Sequence, residues 1–255
     1  MPISVPAKDA QEWFQTLRGK WQHCYETNRV LLVLVPIEFP FPDDCILTGE
    51  EKERSARYRF IRDRRAYELG RFIVRTTLKA TTPLEPFAIR DLGKPYINGY
   101  PAFNISHSGG LVAVAFARRE PLGVDIELIR SDNQSTDLID AVCHPAERRE
   151  LAGCSEQERD EMFYRCWTRK EAVLKATGEG LRDDLRSLDV KLSQYQPTIA
   201  SEALSMALFD VPLRWKGYSC ALAVDPGVTA IDVLSPFHFY QLACLEQVHD
   251  TEHVI

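Results

Sequence analysis

The residues best placed to do chemistry are carboxylates and lysines held at regular spacings. The run Leu122-Gly123-Val124-Asp125-Ile126-Glu127-Leu128 alternates. As a strand it sets Val124, Ile126 and Leu128 on one side and Asp125 with Glu127 on the other. Two carboxylates side by side repel unless a cation or base lies between them; the plain alternative is an acidic outer face. Further on, Met162 to Thr177 has helical spacing, with Phe163, Trp167, Lys170 and Leu174 on one stripe and Glu171 and Lys175 beside it. Taken alone, Glu171 and Lys175 are an ordinary ion pair one turn apart. Together, three carboxylates suit a hard cation such as Mg²⁺, which takes phosphate oxygens as further ligands. The lysine one turn on can neutralise the same phosphate.

A third segment, Phe103-Asn104-Ile105-Ser106-His107-Ser108-Gly109-Gly110, reads as a turn from Ser106 to Gly110. Turn N–H groups, two hydroxyls and an imidazole can converge there on an anion. It is not a P-loop, since no GxxxxGK[ST] occurs. Adjacent Ser106 and His107 would point to opposite faces if extended, which argues against a Ser–His hydrolase. Upstream, Gly93-Lys94-Pro95 offers an exposed cation before a rigid turn.

These segments need elements to hold them. An amphipathic stretch, Lys8 to Gly19, leads into a strand-like run, Val30–Phe39, and residues 49–80 read as helix. From Glu51 to Arg75 the chain carries nine Lys/Arg against four Asp/Glu. Short extended pieces follow at Phe87–Arg90, Pro95–Ile97, Ala102–Ile105 and Leu111–Ala117, then a strand at Leu122–Ile129. Helical patterns resume from Pro145 to Gly178, with strand-like runs at Leu188–Leu192 and Tyr218–Val224. Strand, helices, then strands occur twice, which predicts two α/β units of similar size, residues 1–120 and 121–255. The tail after Asp225 lacks Lys and Arg and reads as a poorly packed acidic extension.

Composition sets the outer bounds. With 255 residues, 45% hydrophobic and 27% charged, the chain is globular rather than disordered. A net charge of −6 argues against a dedicated nucleic-acid binder. The apolar run Val30–Val35 is far too short to cross a bilayer, and the N-terminus lacks the pattern of a secretory signal. Seven cysteines without a CxxC pair read as reduced, mostly buried thiols of a cytoplasmic protein.

Taken together, the chain resembles the Sfp-type 4′-phosphopantetheinyl transferases. The resemblance rests on Gly93-Lys94-Pro95, on Phe103-Asn104-Ile105-Ser106-His107-Ser108, on Gly123-Val124-Asp125-Ile126-Glu127, and on Trp167-Thr168-Arg169-Lys170-Glu171-Ala172-Val173-Leu174-Lys175. It spans roughly residues 50 to 185. The basic segment Lys52–Arg75 is similar to the family's N-terminal cationic region, without a rigid motif.

The resemblance implies an α+β fold of two similar α/β halves related by pseudo-twofold symmetry, with the active site in the cleft between them. It implies transfer of phosphopantetheine from coenzyme A to a serine of an apo acyl or peptidyl carrier protein, releasing adenosine 3′,5′-bisphosphate. Carried over by position, Asp125, Glu127 and Glu171 bind Mg²⁺, and Lys175 and His107 contact the pyrophosphate. Ser106 and Lys94 hold the nucleotide end, with Lys52, Arg54, Arg57, Arg64 and Arg65 as a group facing the 3′-phosphate. The attacking serine belongs to the partner, so this chain needs no nucleophile. It needs a base, for which Glu171 comes first and His107 second. The segment from Asp137 to Met162 is where the family docks its carrier. The expected enzyme is a monomer acting on neither nucleic acid nor membrane. Two alternatives remain: a binding module without turnover, and a Mg²⁺-dependent phosphohydrolase.

Overall fold

Strand β1 (Val30–Pro36) is apolar on both sides because it has a layer on each. Leu31, Val33 and Val35 face α1 (Ala7–Glu26) and, further along the chain, α3 (Ile61–Leu78); Val30, Leu32 and Leu34 face a second sheet. Each such side chain contributes about 1.5–3 kcal/mol by leaving water. The computed structural model describes residues 7–41, 47–79, 81, 84–90, 93–130, 134–178, 185–200 and 205–236.

Both sheets have four strands. In the first, β1 lies between β5 (Leu111–Ala117) and β10 (Ile231–Leu234), and β4 (Ala102–Ser108) forms the outer edge beyond β5. In the second, the order is β6 (Leu122–Leu128), β9 (Tyr218–Val224), β8 (Ser205–Asp210), β7 (Thr198–Ala200). Their inner faces share a core of β1 and β5 residues with Leu122, Val124, Ile126, Leu222 and Val224. The outer face of the second sheet carries α6 (Glu156–Thr177), α4 (Gln134–Val142) and α5 (Pro145–Ala152). The result is an α+β fold in four layers: helices, sheet, sheet, helices. Among the described residues, no helix is long and apolar enough to cross a membrane.

Local signals explain most boundaries. The predicted helix over 49–80 divides into α2 (Gly49–Ala56) and α3. Thr48 and Glu51 form a capping box at the start of α2, and Phe60 is extended ahead of α3. The long C-terminal helix α6 stops at Gly178, whose φ of 71° suits the left-handed cap. The Gly109–Gly110 turn joining β4 to β5 is covered by Tyr218 of the second sheet, whose hydroxyl accepts from Gly110 N–H at 2.9 Å. The segment β2 (Ala88–Ile89) with β3 (Pro95–Tyr96) is a small separate hairpin.

Three expectations are corrected. The tail after Asp225 is not simply an extension: Val30 to Val33 pair in parallel with Ile231 to Leu234, so β10 crosses back to the first sheet. That also crosses the expected division at residue 120, and residues 237–255 lie outside those described. The run Leu188–Leu192 is not a strand. Its carbonyls are taken by buried side chains of α6: Lys170 donates to Leu188 O, and Arg169 donates to Val190 O and Lys191 O at 2.9 and 2.8 Å. Finally, Ser106 to Ser108 belong to β4, not to a turn, and pair with Ala113, Val112 and Leu111 of β5. Among the cysteines, Cys24, Cys143, Cys166 and Cys220 are buried free thiols and Cys154 is a half-buried one; Cys45 and Cys244 lie outside the described residues.

Candidate active site

The two sheets meet at their edges, β4 against β6, and side chains replace a backbone ladder there. Asn104 Oδ1 accepts from Val124 N–H at 2.9 Å. Ser106 Oγ donates to Asp125 Oδ1 at 2.9 Å, and Ser108 Oγ donates to Glu127 Oε2 at 2.6 Å while accepting from Leu128 N–H at 3.1 Å. The alternation of an extended strand makes this work, since Asn104, Ser106 and Ser108 share the face turned to β6. Phe103 and Ile105 turn the other way into the helical core, and His107, on the same side of the strand, is exposed.

Helix α6 closes the seam from the outer side. It approaches β6 so closely that a Cβ on Gly123 would stand 2.0 Å from Ala172 O and 2.6 Å from Ala176 N. No side chain fits, so glycine is what lets the helix settle here. The approach carries Lys175 over the carboxylates, where Nζ donates to Asp125 Oδ1 at 2.6 Å and to Ser106 Oγ at 2.9 Å.

The electrostatics follow from burial and like charge. Asp125 is buried, and its second oxygen, Oδ2, has no hydrogen-bond partner. Burial raises the Glu171 carboxyl above its ordinary value; Lys175 pulls it back down, and Asp125 and Glu127 push it up again. Glu127 is raised in the same way, chiefly by burial and against the hydrogen bonds from Ser108 and Trp167. Three acids and one lysine thus act on one another. His107 reaches the surface, yet the protein crowding it and the Lys175 charge hold its imidazole below the usual value, with Asp63 and Arg62 of α3 also in range.

A hard divalent cation fits this set. The donors are all carboxylate oxygens, one of them buried without a partner, and acids under mutual repulsion gain most from a cation. Lys175 takes up Asp125 Oδ1 in their midst. A second cluster looks more like a metal site by distance alone: the ligand atoms of Cys143, Glu147 and Cys166 all lie within 4.8 Å of one another. There Lys170 Nζ already stands 2.9 Å from Glu147 Oε2. The Glu147 oxygens also accept from Val190 N–H and His144 N–H, at 2.8 and 2.7 Å. That carboxylate is saturated, and the cluster is structural.

Lys94 is not the exposed cation that Gly93-Lys94-Pro95 offers in the sequence. It is buried, and Nζ donates to Glu120 Oε2 at 2.7 Å and to Leu122 O at 2.8 Å, with Ala176 O at 3.5 Å. Its ammonium pins the start of β6 to the end of α6. The basic group is not gathered at one point either. Lys52, Arg54 and Arg57 are exposed on and after α2, while Arg64 pairs with Glu68 at 2.9 Å. Arg65 donates to Ile37 O and Phe39 O, both at 3.3 Å. Arg71 and Arg75, part of the same charge count, are buried on Glu51. The residues that sequence reasoning left without a role are Asn104 and Trp167, which with Ser108 orient β6 and Glu127, and Arg62 beside His107. Strand alternation over Ala102–Ser108 was the signal for Asn104.

The seam thus gathers hydroxyls, carboxylates and a lysine between the two sheets. Residues 121–223 match the profile of the 4′-phosphopantetheinyl transferase superfamily. The 4′-phosphopantetheinyl transferase HetI of a Nostoc species is 30% identical over 174 residues, covering 65% of this chain and 73% of the relative. The 4′-phosphopantetheinyl transferase Sfp of Bacillus subtilis is 31% identical over 154 residues, covering 58% and 67%. AcpT of Salmonella typhimurium, a 4′-phosphopantetheinyl transferase, is 35% identical over 102 residues, covering 39% and 53%. This chain belongs to the 4′-phosphopantetheinyl transferase superfamily.

Proposed function

We propose that this enzyme transfers the 4′-phosphopantetheine group of coenzyme A to a serine of an apo acyl or peptidyl carrier protein, leaving adenosine 3′,5′-bisphosphate. One observation carries the reading: Asp125, Glu127, Glu171 and Lys175 act on one another at the β4–β6 seam, with Asp125 Oδ2 buried and unpartnered. Asp125, Glu127 and Glu171 would hold Mg²⁺. When bound, it supplies positive charge to the pyrophosphate oxygens as the phosphorus–oxygen bond breaks.

The chain's own residues do the rest. Lys175 stabilises charge on the 5′-phosphate of the departing adenosine 3′,5′-bisphosphate, and the Ser106 hydroxyl and His107 orient the phosphates along the seam. Exposed Lys52, Arg54 and Arg57, with Arg64 and Arg65 on α3, give the α2–α3 side the positive field that draws the 3′-phosphate. Glu171 is the first candidate to take the serine proton, with His107 as its alternate. The carrier approaches the α4–α6 side, where Arg148, Arg149 and Arg159 offer cations to an acidic partner. The enzyme works as a monomer in the cytoplasm, as its buried free thiols suit a reducing compartment.

The test mixes purified protein, coenzyme A, Mg²⁺ and two apo carriers, one of fatty-acid and one of peptide-synthetase type. Intact mass of each carrier should rise by one phosphopantetheine on at least one, and EDTA should prevent it. Coenzyme A consumed with neither carrier loaded would make the chain a phosphohydrolase instead.

A further inference from the structure

Past Ser108 the two sheets make one more contact, and it runs the other way. Asn104, Ser106 and Ser108 each reach β6 with a side chain. Two residues further on, Gly110 has none, and the second sheet reaches it instead. The Tyr218 hydroxyl accepts from Gly110 N–H at 2.9 Å. Tyr218 is the cross-strand partner of Leu128, where the pairing of β6 with β9 ends. From the first sheet, Ile37 N–H, just after β1, donates to Gly110 O at 2.9 Å. Gly110 is thus held by its N–H from one sheet and by its carbonyl from the other.

The fit leaves no slack. Ser108 pairs with Leu111, so Gly109 and Gly110 are a two-residue hairpin loop, and the φ of 55° at Gly109 is what such loops require there. A Cβ on Gly109 would stand 2.4 Å from Tyr218 Oη and 3.1 Å from Leu128 Cβ. The turn therefore packs directly on the end of the second sheet. What it carries is Ser108, which donates to Glu127 Oε2 at 2.6 Å and accepts from Leu128 N–H at 3.1 Å. With so short a loop, a shift of Gly110 passes straight to Ser108 and so to the Glu127 carboxylate.

We propose that Tyr218 is a positioning residue for the transfer: by holding Gly110, its hydroxyl keeps the end of β4 in register with β6 and Ser108 on Glu127. This rests on the transferase reading above. Tyr218 acts through the turn and through Ser108, two steps removed from the reacting phosphates.

Tyr218→Phe keeps the ring and removes only the hydroxyl. By NMR, the Gly110 amide should exchange slowly with deuterium in wild-type protein and about tenfold faster in the variant, with the amides of α6 unchanged. The variant's kcat/KM for coenzyme A should fall about fivefold, the scale of one neutral hydrogen bond, with KM for the apo carrier within twofold. A hydroxyl that only stabilised the fold would lower the melting temperature and leave the kinetics of the folded variant alone. The double variant with Ser108→Ala tests the route. If Tyr218 acts through Ser108, its loss adds little to that of Ser108→Ala, whereas independent effects multiply. An unprotected Gly110 amide in wild type, unchanged kinetics in the folded variant, or multiplied losses in the double variant each overturn the assignment and leave the transferase intact. If wild-type protein loads neither carrier, the transferase reading fails and the positioning role with it.

Discussion

Lys175 Nζ stands 2.6 Å from Asp125 Oδ1, and the other oxygen of that carboxylate is buried without a partner. The lysine answers one of the three carboxylate charges at the seam. The remainder falls on Glu127 and Glu171, both pushed above their ordinary values by burial and by Asp125.

Glu171→Gln should therefore cost activity and not stability. Transfer should fall by about 10²–10³-fold or more, the scale of losing one group that stabilises developing charge, as read by carrier mass. Lys175→Ala should lose a similar amount, and His107→Ala less than either; if His107→Ala were the worst, the base would be His107. The sign of the pH effect follows. A carboxyl with a raised folded value binds more protons folded than unfolded, so stability falls as pH climbs from about 4.3 through that value. Thermal melts in EDTA should show this loss in wild type and less of it in Glu171→Gln.

Lys94→Met separates a structural lysine from a substrate-binding one. Burial holds the Lys94 ammonium below its ordinary value, and Glu120 works against that. Removing it strands Glu120, which is partly exposed, and leaves Leu122 O short of a donor. The expected loss is about 2 kcal/mol, less than for a fully buried pair, measured by denaturant unfolding. KM for coenzyme A should stay within twofold. A large KM rise with unchanged stability would return Lys94 to the nucleotide.

Much of the site was legible because its logic is local. Alternation in Leu122–Leu128 put Val124 and Ile126 in the core and the acids opposite, and helical spacing put Glu171 and Lys175 beside them. What stayed hidden depends on partners distant in sequence. Ser and Gly are turn formers, and only pairing with β5 makes Ser106 to Ser108 a strand. The apolar run Leu188–Leu192 looks like a strand until Arg169 and Lys170 take its carbonyls. Strand β10 is four residues long, and its partner lies at the other end of the chain. A lysine is exposed by default, so no local pattern marks Lys94 as buried, and a charge count cannot tell Arg75, buried on Glu51, from exposed Lys52.

Gly123→Ala tests whether the close approach of α6 sets the site. One methyl would meet Ala172 O at 2.0 Å, and backbone cannot swing aside as a side chain does. The helix must move, which costs about 1–3 kcal/mol and draws Lys175 and Glu171 away from Asp125. The melting temperature should fall by several degrees, and activity far more than that loss explains at a temperature where the variant stays folded. Full activity in a folded variant would show that the seam tolerates a displaced helix.

The clamp on β10 gives a separate acid-sensitive term. Arg29 Nε donates to Asp232 at 2.5 Å across the β1–β10 pair, and the buried Cys24 thiol also donates to it at 3.4 Å. The bond from Arg29 holds the Asp232 carboxyl below its ordinary value. Burial, joined by Asp232, pushes the Cys24 thiol up to about 12, so it stays a neutral donor. A depressed carboxyl binds fewer protons folded than unfolded. Its stabilisation is present above about 3.9 and fades as pH falls through the folded value. Asp232→Asn should lower the melting temperature modestly at pH 7, since the pair is partly exposed and screened by solvent, and the difference from wild type should shrink below pH 4. Because β10 lies far from the β4–β6 seam in the strand order, transfer activity should be unchanged where both proteins are folded. A gap that persisted into acid would mean that the Arg29–Asp232 charge pair is not what fastens β10 to the sheet.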